Sequence, residues 1–181
     1  YAEAGGHLRL LVLDLVGDEH VRSIVDLAAR RDGPQIFDTD GFSPLFKFLK
    51  AAEFYTSSIY NPNRAFGQLI RPKVMNVDLQ AMPFPDESFS AVVSMTMLHH
   101  VPSPTEQDRL LSQAYRVLRR GGTFAGTDNT GGVSFRLIHI RDTMVLIDPE
   151  TFGSRLEAAG FRDVAVDVAK GRFRFRAVRT P

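Results

Sequence analysis

Two adjacent histidines, His99 and His100, close the apolar run Ala91 to Met97. An imidazole with an ordinary pKa of about 6.5 can take a proton from a hydroxyl nucleophile near neutral pH. His100 is the candidate base; the plainer alternative is a histidine packed under a strand end or capping the next helix. Earlier in the chain, Gln35-Ile36-Phe37 is followed by Asp38, Asp40 and Gly41, which sets carboxylates beside a residue whose missing Cβ lets backbone approach a ligand closely. There is no cysteine, so disulfides, thiolate zinc sites and cysteine nucleophiles are excluded. No metal site is expected.

These residues need a scaffold, and the spacing of apolar positions supplies one. Residues 7–31 carry apolar side chains at helical intervals with a break at Gly17-Asp18, which predicts a helical hairpin. After Gly33-Pro34 come short apolar runs separated by helical stretches, with strands predicted at 35–37, 53–59, 74–77, 91–97, 123–127 and 164–168. Alternation of this kind predicts an α/β sheet with parallel strands. Ser103-Pro104-Thr105-Glu106 reads as a capped helix start, and that helix is predicted to run to Arg119-Arg120-Gly121. A second helix is predicted from Asp148-Pro149-Glu150 to Ala159-Gly160. Lys170-Gly171 separates two final strands as a hairpin turn.

The chain has 181 residues, long enough for one domain with its own core. We expect a single domain over 1–181, with an N-terminal helical segment at 1–32 and an α/β core at 33–181. With 22 Lys and Arg against 21 Asp and Glu, the composition gives no support to bulk polyanion binding, and no nucleic-acid partner is expected. The alternating arginines 172, 174, 176 and 179 form a basic stripe that most often is solvated or salt-bridged. No run of apolar residues reaches membrane-spanning length, and Leu8 to Val16 is broken by Arg9 and Asp14. That stretch also lacks the pattern of a secretory signal, so a cytoplasmic location is the default expectation.

Val77 to Phe89, then Ala91 to Ser94, Met97-Leu98-His99-His100-Val101 and Tyr115 to Gly122, together resemble the central block of class I S-adenosylmethionine-dependent methyltransferases. Leu156 to Phe161 resembles the final helix and turn of that family. The resemblance implies a Rossmann-like fold: a mostly parallel seven-stranded sheet with an antiparallel C-terminal strand and helices on both faces. It also implies S-adenosylmethionine as cofactor and a small molecule, with a hydroxyl or amine of a small molecule or saccharide, as acceptor. Asp78 would accept a hydrogen bond from the adenine amino group, Leu79 would cover the ring, and Ser94 would line the cofactor site. Asp128 and Asn129 would line the acceptor pocket or else be solvated loop residues, and Ser134 to Leu146 would either cover the acceptor or form an ordinary core helix with a solvated face.

The first loop departs from the family pattern. Either Leu11 to Gly17 or Gln35 to Pro44 supplies the first strand and its loop, and the second register is preferred because the first has helical spacing. In that register Asp38, Asp40 and Gly41 are the cofactor-loop residues, similar to a branch of the family whose first loop is glycine-poor. Ser57 or Ser58 then stands where the family generally carries an acid for the ribose. A methyltransferase-like fold that serves as a non-catalytic binding or partner subunit is the alternative.

Overall fold

A computed structural model of the chain describes residues 23–131 and 144–180. The first helix of the expected N-terminal hairpin, the strand register at 11–17 and most of the segment 134–146 lie outside the described residues. The hairpin's second helix is present as α1 (Ile24–Ala28), with Ser23 as its cap accepting from the Asp26 amide at 3.1 Å.

Among the described residues eight strands form one sheet: β1 (Ile36–Asp38), β2 (Tyr55–Ile59), β3 (Leu69–Arg71), β4 (Val74–Asn76), β5 (Phe89–Met95), β6 (Leu118–Asn129), β7 (Phe161–Ala169) and β8 (Arg172–Arg179). Their order is β3-β4-β2-β1-β5-β6-β8-β7. β4, β2, β1, β5 and β6 run parallel, and β8 is antiparallel to both β6 and β7. The expected seven-stranded sheet is thus present with one strand more. The correction is β3, a three-residue edge strand folded back antiparallel on β4, too short to leave an alternation of its own in the sequence.

Side chains alternate across the sheet and bury two cores. Phe37, Val92 and Phe124 face α3 (Pro104–Val117) and α4 (Pro149–Ala158), which contribute Leu110, Leu111, Ala114, Phe152 and Leu156. Ile36, Ala91, Val93 and Ala125 face α1 and α2 (Pro44–Leu49), which contribute Ile24, Leu27, Leu45 and Leu49. Helices therefore cover both faces, as a sheet of parallel strands requires.

The local punctuation forms as the sequence predicts. Ser103 Oγ accepts from the Glu106 amide and donates to Glu106 Oε2, and Pro104 opens the helix. Asp148 caps α4, and Gly160 ends it at φ +105°. One boundary differs: α3 stops at Val117, not at Arg119-Arg120-Gly121, because Leu118 already pairs with Phe89 as the start of β6.

Candidate active site

Strand order reverses at β1. From β1 the chain passes through α2 to β2 on one side, while β5 pairs with β1 on the other. Ligands of open α/β sheets sit in the crevice beyond the carboxyl ends of the strands at such a reversal. Around this crevice stand the residues after β1, β4, β5 and β6. β1 lies at Ile36–Asp38, where the preferred register puts the first strand.

The loop after β1 is closed on itself. Asp38 is buried, and its carboxylate accepts from Ser43 Oγ, from Tyr55 Oη at 2.7 Å and from the Asp40 amide at 3.2 Å. Burial outweighs these three donors and pushes the Asp38 carboxyl up to about 7. Burial also raises the Tyr55 phenol and the Asp40 carboxyl, the latter opposed by the Phe42 amide and by nearby His100. The remaining loop amides are occupied: Gly41 donates to Ser58 O at 2.5 Å, Phe42 to Asp40 Oδ1 at 2.9 Å and Ser43 to Asp40 O at 3.1 Å. Gly41 is required by its surroundings, since a Cβ there would lie 3.1 Å from Ser58 O and 3.0 Å from Val74.

Ser57 and Ser58 are both buried and spend their hydroxyls on backbone: Ser57 Oγ donates to Lys73 O and Ser58 Oγ to Thr39 O. Asp78, just past β4, is half-buried and accepts from the Gln80 amide at 2.9 Å in an Asx turn. Leu79 packs beside it against the core under α3. Ser94 Oγ and Thr39 Oγ1, at the carboxyl ends of β5 and β1, are buried without a hydrogen-bond partner among the described residues. Backbone crowding is extreme here: a Cβ on Gly126 would fall 1.9 Å from Ser94 O, so β6 can pass β5 only with glycine. Thr96, two residues on, holds φ +58°, a strained conformation for a β-branched residue of the kind found at working sites.

His99 and His100 do not share one environment. His100 is exposed, and His99 is 1% exposed with its ring centroid 4.2 Å from that of His100. His99 Nδ1 lies 2.6 Å from Asp128 Oδ1, and Asp128 also accepts from the His99 and Asn129 amides. The sequence placed Asp128 beside the acceptor but gave no sign that it holds His99, because the two are far apart in the chain and meet only through the β5–β6 pairing. The same is true of Tyr55 on Asp38.

Downstream of β5, His99 O accepts from the Val145 amide, and Gln107 Nε2 donates to Val145 O at 2.9 Å. Arg155 reaches Gln107 Oε1 at 3.0 Å and Asp108 at 2.7 Å, so α3 and α4 brace the corner that carries the histidines. Two arginines of the basic stripe have partners within the fold: Arg174 pairs with Asp167 at 2.6 Å, and Arg179 reaches Glu87 and stacks on Tyr115. No group of three or more potential metal ligands occurs among the described residues.

Strand order, the antiparallel β8 and the crevice at β1 and β5 define a Rossmann-like methyltransferase fold. Residues 45–126 match the family described as a methyltransferase domain. Solved structures agree at the level of fold. A chain of Haloferax volcanii solved in complex with the Trm112 methyltransferase activator superimposes with a TM-score of 0.65 at 16% identity, over 99% of this chain and 92% of that one. A Thermotoga maritima S-adenosylmethionine-dependent methyltransferase gives 0.60 at 15% identity, over 82% and 84%. PigF, solved with S-adenosylhomocysteine, gives 0.58 at 18% identity over 81% of this chain, which spans 50% of PigF's length.

Proposed function

We propose that this chain transfers a methyl group from S-adenosylmethionine to a hydroxyl or amine of a small molecule or saccharide. The observation that carries this reading is the buried His99–Asp128 pair beside the switch-point crevice. With Asp128 as acceptor, Nδ1 of His99 is the donor and Nε2 is the basic nitrogen. A base in that state removes the proton an oxygen or nitrogen acceptor sheds as it is methylated. His100, the base expected from the sequence, lies against it at the solvent side and is the competing assignment.

The bound cofactor supplies an activated methyl on a sulfonium, and the protein's part is orientation and proton removal. Asp78 and Leu79 would meet the adenine, and the buried hydroxyls of Thr39 and Ser94 suit a polar group bound where β1 and β5 end, since an unsatisfied buried hydroxyl costs about 1–3 kcal/mol. Asp38, Asp40, Gly41, Ser57 and Ser58 shape the loop and strand ends around it.

The second reading, a non-catalytic binding or partner subunit, is favoured by one observation: the amides of residues 40–43 and both serine hydroxyls of β2 already have partners within the protein. Calorimetric titration with S-adenosylhomocysteine separates the two. Binding, together with methyl transfer that falls about 10²–10⁴-fold in His99→Ala but not in His100→Ala, is the expected result. The reverse pattern moves the base to His100, and no binding up to millimolar ligand rejects the enzyme.

A further inference from the structure

The loop that borders the crevice, residues 38–43, contains a single glycine, and its geometry is held partly from outside. Arg71, presented by the edge strand β3, donates from Nη2 to Gly41 O at 3.0 Å. Its guanidinium carbon lies 5.1 Å from the ring centroids of both Phe42 and Phe46. The Gly41 residue is thereby fixed at both ends, its N–H on Ser58 O of β2 and its carbonyl on Arg71. Phe42 is 74% exposed, an exposure explained by its contact: the ring faces a cation, not the core. Phe46 in turn packs near Tyr55, the residue that donates to Asp38, so one run of contacts passes from β3 through α2 to the end of β1.

The hairpin that carries Arg71 is itself anchored. Lys73, in its turn at φ +64°, accepts through its carbonyl from the Ser57 amide at 2.8 Å and from Ser57 Oγ. Arg71 forms no ion pair with a carboxylate among the described residues, so its charge is directed at the two rings and the carbonyl. Guanidinium is suited to this work, because its plane stacks on aromatic faces while its edge donates in a fixed direction.

We propose that Arg71 is a positioning residue that clamps the β1–α2 loop in the conformation that receives the cofactor. The clamp couples the added strand β3 to the crevice, and its effect on binding rests on the methyltransferase reading given above. A free loop of this composition would sample many conformations, and holding one of them in advance lowers the cost of binding.

The test compares wild type, Arg71→Ala and Arg71→Lys as full chains by hydrogen–deuterium exchange and by calorimetry with S-adenosylhomocysteine. Arg71→Ala is expected to speed exchange of the amides in residues 40–46 and to weaken S-adenosylhomocysteine by on the order of tenfold, with exchange in α3 unchanged. Arg71→Lys keeps a cation and a donor but not the stacking plane, and should fall between the two. Faster loop exchange with unchanged affinity overturns the positioning role, as does unchanged exchange. Loss of protection throughout α3 in both variants also overturns it, because Arg71 would then act on the whole fold. If the wild type binds no S-adenosylhomocysteine, the methyltransferase reading fails separately, and loop exchange alone decides whether the clamp exists.

Discussion

Asp38 shows how a single buried group can set a pH dependence. Its carboxyl is pushed up to about 7 by burial, whereas in the unfolded chain it titrates near 4. Between those values the folded protein keeps a proton that the unfolded chain has lost, so this contribution to stability is full below about pH 4 and is lost as pH rises toward 7. Asp38→Asn should abolish that slope: at pH 4 it should cost about 1–3 kcal/mol through the altered hydrogen bonds to Ser43 and Tyr55, and its stability relative to wild type should rise as pH goes from 4 to 7. Urea unfolding of both proteins at pH 4, 5.5 and 7 measures it. A stability difference that does not change with pH would mean Asp38 ionises at an ordinary value.

At the scale of elements, α3 has the clearest division of labour. Its inner face, Leu110, Leu111, Ala114 and Val117, is buried against the sheet, and its first turn carries the Ser103 cap and Gln107, which ties the His99 corner to residue 145. Helix stability in a protein comes mostly from the packed face, so losing the cap should be felt without unfolding the domain. Ser103→Ala is expected to lower stability by about 1 kcal/mol, and Ser103→Asp to restore most of it. The denaturation midpoint reports this directly. An alanine variant as stable as wild type would show that Pro104 and the buried face alone define the helix start.

For the whole molecule, the arrangement of two cores on either face of one sheet puts the crevice at the seam between them. The loop after β1 leads into α2 over one core, and the corner after β5 leads into α3 over the other. A ligand seated there binds only the assembled structure. S-adenosylhomocysteine at 100 times its dissociation constant should therefore stabilise the protein by about 2.7 kcal/mol. For a chain of this size that is a rise in Tm of roughly 5–10 °C. Thermal unfolding with and without ligand checks it, and adenosine at the same concentration controls for weak binding of the base alone. A Tm that does not move would mean the crevice does not bind this ligand.

Much of the fold is legible in the sequence because its signals are local. Ser103 and Glu106 are three residues apart, Asp148 caps the turn it begins, and Lys170-Gly171 joins adjacent strands, so each is complete within a few positions. Alternating strand and helix periods, and with them the parallel sheet, follow from the same short-range pattern. The chemistry of the crevice is not local. Tyr55 reaches Asp38 across 17 positions, Asp128 reaches His99 across 29, and Arg71 reaches Gly41 across 30. Which of these meet depends on strand order: β2 beside β1, β6 beside β5, and β3 folded onto β4. The sequence by itself therefore determined the class of fold and the candidates His99, His100, Asp38 and Asp78. Only the tertiary structure decided which histidine is held by a carboxylate and which residues close the first loop, because hydrogen-bond partners are chosen by neighbouring strands and not by neighbouring residues.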